Sequence, residues 1–564
     1  MKTRISARFS LLLLCSFLAV AVFYPVLNGI VSSLMEGNSF TLHRFVDMFA
    51  EGKASTLAAI TNSVLASALT VVVGGIVGTL LAVTTSLRAF RLRRAITGIA
   101  VLPVAMPPLV GVIALLFIYG EGGILPRLAS ALFGVESSTF ALDGFAGIVA
   151  VHVYAFHVYT YLFVSTALRE IDGSLVEAAV MFGARPGRLF FRIILPELMP
   201  ALVGSASLTF MSSMASFSAP FLLGGGSPFL TTIIYSTKLN GDLGLAGAQS
   251  TVLLVISILF FLMLTLSTAR TRGSASRKGV AIPWIPAFPR ALERTLIALS
   301  ITILILELLP LLCIVLISFA KEGSWTWQLL PTAYTLENYL HLMTQPGIFQ
   351  PLRNSVLMSL LTAMVAAVAG TSLAFLLTKG RAKRLRNFLD PLLTLPFAIP
   401  GTVIAIYLIV TFSEPRFLTG GEVLLGTFWI LPLAYFVRTY PLVLRSAASS
   451  LDRLEDSSIE AALMLGAGPG RLMRRIVLPV IASSIIAGSL LVLISALGEF
   501  PSSILLYAHA NRPVSVEILS QLRGYNFGSA GAYSVGLLVL ALLFSYLSGR
   551  LRTDGGEKQA RFHF

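Results

Sequence analysis

A stretch of twenty residues occurs twice in this chain. Residues 177–196 read EAAVMFGARPGRLFFRIILP, and residues 460–479 read EAALMLGAGPGRLMRRIVLP. The two agree at 14 of 20 positions and lie 283 residues apart, half of the 564-residue length to within a residue. Self-similarity of this kind predicts two copies of one architecture in tandem. Shorter echoes flank it. Asn62-Ser63-Val64-Leu65 returns as Asn354-Ser355-Val356-Leu357, and Leu102-Pro103 with Pro107 returns as Leu395-Pro396 with Pro400.

Composition says what each copy is made of. Hydrophobic residues are 56% and charged residues 12% of the chain, with a mean hydropathy of +0.86. Soluble domains carry about 25% charged residues, so too little polar surface exists here to cover a soluble fold. Apolar runs long enough to cross a bilayer as helices centre near residues 20, 70, 108, 156, 208, 257, 308, 365, 402, 436, 492 and 540. The expectation is an all-α membrane protein with twelve spans in two tandem six-helix transmembrane domains. The domains are placed at residues 1–269 and 295–564. The joining segment 270–294 is rich in Arg, Ser and Pro, as a linker should be. At the start, basic Lys2, Arg4 and Arg8 precede an apolar run with no small-residue cleavage pattern, which reads as an uncleaved first span.

The net charge of +15 has a direction. Of the 41 Lys and Arg residues, 31 fall in alternate loops, those on the side of the N-terminus. The positive-inside rule places those loops, and both termini, in the cytoplasm. Six spans separate the starts of the halves, so the repeat is parallel rather than inverted. Basic residues spread over many short loops exclude a nucleic-acid surface. Their natural counterpart is anionic membrane lipid.

The duplicated loop lies on this basic side. Glu-Ala-Ala followed by apolar residues favours a short helix with an acid near its N-terminus. Gly183 and Gly466 suit a left-handed stop. Short helices do not hold together alone in water, so the faces built from Ala178, Ala179, Met181 and Phe182, and from Ala461, Ala462, Met464 and Leu465, need a cover. One cover is the lipid interface. Two near-identical copies at symmetric positions point instead to a symmetric pair of protein subunits.

Both loops fit Glu-Ala-Ala, three residues, Gly, nine residues, Ile-x-Leu-Pro without a gap. On this motif the chain resembles, over its whole length, the permease subunits of binding-protein-dependent ABC importers. Fusion of two permease domains resembles the iron(III) importer permeases and their relatives for thiamine and 2-aminoethylphosphonate. The segment from Phe217 to Gly225 is similar to one that iron-type permeases carry, with Ser216 where those often have Asp. Gly498-Glu499-Phe500-Pro501 is the matching place in the second half.

The resemblance implies a multi-pass protein of a prokaryotic cytoplasmic membrane. It implies a periplasmic or surface-tethered binding protein that delivers the solute, and two cytoplasmic ATPase subunits that hydrolyse ATP. Each loop would be a coupling helix seated in one ATPase. Glu177 and Glu460 would be its charged anchors, Ala178, Ala179, Ala461 and Ala462 would allow close approach, and Gly183 and Gly466 would set the turn. Ser216, Phe217, Glu499 and Phe500 would lie on the substrate pathway. Iron(III) is the leading solute, with 2-aminoethylphosphonate, thiamine or a polyamine as alternatives.

The residues agree that this chain is not itself an enzyme. A phosphate-binding loop needs Gly-x4-Gly-Lys followed by Ser or Thr. The only Gly-Lys pair, Gly52-Lys53, precedes Ala54. No catalytic triad or metal-binding spacing occurs, so no cofactor is expected. Ionisable residues within spans are costly and mark function or pairing. Glu499 either lines the pathway or pairs with a neighbouring helix. Glu307 is read as a packing partner or a pathway group, and Arg438 as the partner of an acid or an interface residue. His152 and His157 are five apart, not the four that share a helix face. Asn62 and Asn354 are expected to bond between helices. A twelve-span ion-coupled transporter would also have two parallel halves, but it gives no reason for the duplicated loop.

Overall fold

A computed structural model describes residues 14, 16–37, 39–49, 54–86, 90–134, 136–274, 289–379 and 385–561. Most of the expected linker, and the basic residues at the start, lie outside these. The fold is helical, with one two-stranded antiparallel hairpin pairing Met35 with Phe40 and Glu36 with Ser39. We number the principal helices α1 (Tyr24–Ser33), α2 (Ala54–Thr85), α3 (Pro108–Tyr119), α4 (Gly144–Glu170), α5 (Leu195–Met214) and α6 (Leu243–Ser274) in the first half. The second half holds α7 (Arg290–Ser318), α8 (Pro346–Thr378), α9 (Gly401–Phe412), α10 (Ile430–Arg453), α11 (Leu478–Leu497) and α12 (Phe527–Arg561).

Among the described residues, ten helices are long and apolar enough to cross a membrane, or eleven if one bent pair counts as a span. The twelve expected runs differ from this count at two places. The bent pair is the ninth run, where Arg386–Ala398 and Gly401–Phe412 meet at 94°. The third run is also interrupted, with short helices Arg93–Ile99 and Leu102–Ala105 before α3. Both breaks fall at the repeated prolines. Met106 and Ile399 are extended just before Pro107 and Pro400, as the clash of a proline ring with the preceding residue demands. The tenth run is α10. It is 24 residues long, enough to span, but Arg438, Arg445, Asp452 and Arg453 take it out of the apolar class.

The halves repeat one packing scheme. In the first, α2 lies on α4, and α5 lies on α2, α4 and α6. In the second, α8 lies on α10, and α11 lies on α8, α10 and α12. Small residues let the α2–α4 and α8–α10 backbones close up. A Cβ on Gly78 would stand 2.4 Å from the His157 carbonyl oxygen, and one on Gly370 would stand 2.9 Å from the Leu444 nitrogen.

The first helix of each half also packs on the other half. α1 lies against α9, with Asn28 donating to Thr411 at 3.0 Å. α7 lies against α3. The halves are thereby interlocked around α3 and α9, whose residues are almost all buried.

Candidate functional site

Two regions combine exposure or charge with the duplicated pattern. The first is the loop pair. In the first copy the helix Gly173–Met181 begins at Asp172, whose carboxylate accepts from the Ser174 N–H at 3.0 Å. It ends when Gly183 turns left-handed at φ 75°, with Ala184 N–H bonded to Ala179 O at 3.0 Å and Gly183 N–H to Val180 O at 2.9 Å. The second copy, Asp456–Met464, ends the same way. Gly466 has φ 76°, Ala467 N–H bonds to Ala462 O at 2.9 Å, and Gly466 N–H to Leu463 O at 3.0 Å. This double bond around a left-handed residue is the Schellman stop, which glycine adopts without strain.

Each stop thrusts two apolar side chains into the open. Met181 is 88% and Phe182 93% exposed, Met464 88% and Leu465 87%. Glu177, Ala178, Glu460 and Ala461 are also exposed, Ala179 is half-buried and Ala462 is buried. After the loop, each chain passes a five-residue π-turn, Phe190–Ile194 or Met473–Val477, before the Leu-Pro that starts α5 or α11. The proline removes an N–H from the ladder, and the wider turn re-satisfies the carbonyls.

The second region is the seam between the halves, where α5 and α11 end. Phe217 and Phe500, at matching places, are fully buried and pack on each other with ring centroids 5.7 Å apart. Phe221 and Tyr235 complete the aromatic cluster on the first side. Matching bonds hold the backbone here. The Ser216 carbonyl accepts from the Thr231 hydroxyl at 2.8 Å, and the Glu499 carbonyl accepts from Ser515 at 2.8 Å. The segments that follow are clamped by the repeated Asn-Ser pairs. Asn62 donates to Pro228 O at 3.0 Å and Ser63 accepts from Leu230 N–H at 2.9 Å. Asn354 donates to Ala510 O and Arg512 O, and Ser355 accepts from Val514 N–H at 2.8 Å. The asparagines therefore bond to loop carbonyls, not between helices as expected. Non-helical backbone packed against the bundle leaves such carbonyls in need of donors.

Side chains at the seam break the symmetry. Where the first half has Ser216, the second has Glu499. Its Oε2 accepts from Arg438 Nη1 at 2.6 Å, and its Oε1 accepts from the Ser502 N–H at 3.0 Å and the Ser502 hydroxyl at 2.7 Å. A second acid–base pair joins the halves. His157 Nε2 lies 3.0 Å from Glu307 Oε1, both nearly inaccessible. His157 Nδ1 faces the Val153 and Tyr154 carbonyls at 3.0 and 3.1 Å. His152 Nδ1 meets the Ser213 hydroxyl at 2.8 Å, which also receives the Ser67 hydroxyl at 2.9 Å. The two histidines thus have separate partners. Sequence reasoning singled out these five ionisable residues but matched none of them to its partner, and it missed Glu517, buried beside Arg512.

Comparison with known proteins decides what these regions belong to. Residues 71–273 and 366–553 each match the family described as binding-protein-dependent transport system inner membrane component. The chain belongs to that family. Several relatives match over most of the chain, across both halves. One, named a probable ABC transporter permease protein y4fN of Sinorhizobium fredii, is 31% identical over 88% of this chain and 87% of its own. The ferric transport system permease protein FbpB of Actinobacillus pleuropneumoniae is 26% identical over 97% of this chain and 79% of its own. A putative ferric transport system permease FbpB 1 of Haemophilus influenzae is 27% identical over 84% and 74%.

The protein is therefore the permease subunit of a binding-protein-dependent ABC importer, a multi-pass protein of the inner membrane. The permease family is not catalytic, and membership implies an ATPase and a binding protein as partners. The ion-coupled alternative gives way to this membership.

Proposed function

We propose that the two duplicated loops are coupling helices, each seated in one cytoplasmic ATPase subunit, and that solute crosses between the halves past Phe217 and Phe500. One observation carries the first part. Four large apolar side chains, Met181, Phe182, Met464 and Leu465, stand almost fully in the open at symmetric positions. Exposed apolar clusters mark binding surfaces, and two equal clusters fit two equal partners. Glu177 and Glu460 stand exposed on the same helices as charged anchors. Both termini are cytoplasmic in this reading. Residues 1–269 and 295–564 are the two permease domains, and 270–294 links them.

The pathway reading draws on Ser216, Phe217, Glu499 and Phe500 meeting at the seam. The aromatic contact closes the route in this conformation, and rocking of the halves opens it. Closure of the ATPase dimer would drive the rocking through the loops, a coupling of two equilibria. The names of the ferric relatives support iron(III) as the leading solute.

Co-expression with candidate ATPase and binding-protein subunits, followed by affinity purification on the permease, tests the assignment. The ATPase is expected to co-purify. Glu177→Arg combined with Glu460→Arg is expected to abolish stimulation of ATP hydrolysis by the loaded binding protein. Retention of full stimulation would contradict the coupling role. Iron(III) is expected to raise the melting temperature of the binding protein.

A further inference from the structure

We propose that the charged group presented to cargo is the guanidinium of Arg438, and that the solute crosses as an anion or a net-anionic complex. This rests on the reading of the seam as the route. Apart from the Arg445–Asp390 and Arg386–Asp452 pairs at the loop end of α10, six acidic or basic side chains lie away from helix ends in the bundle among the described residues. They are His152, His157, Glu307, Arg438, Glu499 and Glu517. Five are closed off: His152 is 2% exposed, the side chains of His157, Glu307 and Glu499 are 1%, 7% and 7% exposed, and that of Glu517, paired with Arg512, is 10% exposed. The Arg438 side chain is 32% exposed.

The carboxylate of Glu499 is not available to a passing cation. Both oxygens are engaged, with Arg438 on one and the Ser502 N–H and hydroxyl on the other. Withdrawing it would leave buried donors unpaired, which costs more than a passing contact returns. Arg438 is in the opposite condition. A guanidinium has five N–H donors, and its one described hydrogen bond goes to Glu499. On the same helix face Ala434 and Tyr435 are buried at 0% and 2%, and Pro441 is buried, so the opening is local to the guanidinium. An arginine within a span is costly facing hydrocarbon, and Tyr159 of the other half stands within its electrostatic reach, so we assign the opening to polar space at the seam.

The first half completes the site. Tyr159 of α4 lies beside Ser212 of α5 and within electrostatic reach of Arg438. A guanidinium with a hydrogen-bonded pair of hydroxyls in its neighbourhood suits oxygen atoms that bear negative charge. Glu499 tempers the positive charge, so the cargo is attracted without being held. Among the candidate solutes, a polyamine and thiamine are cations and are repelled. A phosphonate and an iron(III) chelate with an excess of anionic oxygen ligands both fit.

The test measures the charge preference of the seam, whatever the cargo. Ser212→Cys is introduced into full-length permease, with Cys15 and Cys313 replaced by Ser, in nanodiscs with its ATPase subunits. Modification rates are compared for an anionic methanethiosulfonate ethylsulfonate and a cationic trimethylammonium analogue, each divided by its rate with free thiol. An anion preference of about tenfold is expected. It is expected to vanish in Arg438→Gln/Glu499→Gln, which removes both charges without stranding either, and to persist in Arg438→Lys. Equal rates, a cation preference, a preference unchanged in the double variant, or no reaction in any nucleotide state would overturn the proposal.

The chain can be assayed alone if no ATPase co-purifies, so failure here is distinct from failure of the importer assignment. Melting of the partner binding protein with iron(III) citrate and with 2-aminoethylphosphonate separates the two anionic sources. Stabilisation by spermidine or thiamine alone would overturn the proposal.

Discussion

Glu499 shows what a single side chain does at the seam. It joins α10 to the segment after α11 through one charged bond, and braces that segment with two bonds from Ser502. Removing it leaves Ser502 donors and a guanidinium without their partner. Glu499→Ala is therefore expected to cost about 2–3 kcal/mol, below the upper range for broken buried pairs because Arg438 is partly exposed. Glu499→Gln keeps an acceptor for Ser502 and should cost less. Thermal unfolding of the purified protein in detergent checks both, and equal effects would contradict the bonding scheme. The sequence marked Arg438 and Glu499 individually, since a charge within an apolar run is conspicuous. It did not pair them, because the rotation of α10 about its axis decides which face meets Glu499. His157 and Glu307 were still further from legible, lying in different halves of the chain.

At the scale of elements, periodic signals carried most of the fold. The repeated prolines were read only as echoes of the repeat, so the breaks in the third and ninth runs went unread, and the 94° bend depends on neighbours that a local pattern does not contain. α10 was recognisable as a helix although its loop end is charged. There Arg386 grips Asp452 with two bonds of 2.7 Å, and Arg445 reaches Asp390 at 2.8 Å. The short helix and its Gly stop in each loop were legible, since such a stop is a local rule, whereas the π-turns that follow were not. Helix spacing was not legible either, and it gives a prediction. Gly78→Leu and Gly370→Leu place side chains into the backbones of α4 and α10, where a Cβ already stands 2.4 and 2.9 Å from backbone atoms. Each should destabilise the protein by about 1–3 kcal/mol or more, as overpacking does. Gly75→Leu, on a face with nothing within 4 Å, serves as the control and should change little. Melting temperatures of the three variants, measured together, check this. A loss as large for the control as for the others would contradict close approach as the cause.

For the whole molecule, the interlocked first helices matter most. Because α1 packs on α9 and α7 packs on α3, the halves cannot separate widely without unpacking a helix. Their relative motion is then a rocking about this interlock, with the Phe217–Phe500 contact at the seam as the part that opens and shuts. The two exposed loops, which follow α4 and α10 in the chain, lie outside that contact. Locking the seam should therefore stop passage without touching the loops. Phe217→Cys/Phe500→Cys, joined by a short bifunctional methanethiosulfonate, is expected to reduce binding-protein-dependent uptake into proteoliposomes to background. Pull-down of the ATPase by the same cross-linked protein should be unchanged, and uptake should return on reduction. Either cysteine alone, treated alike, should transport. Uptake that continued in the cross-linked protein would place the route elsewhere. Loss of ATPase binding on cross-linking would mean that seam and loops form one rigid body, leaving no motion for ATP to drive.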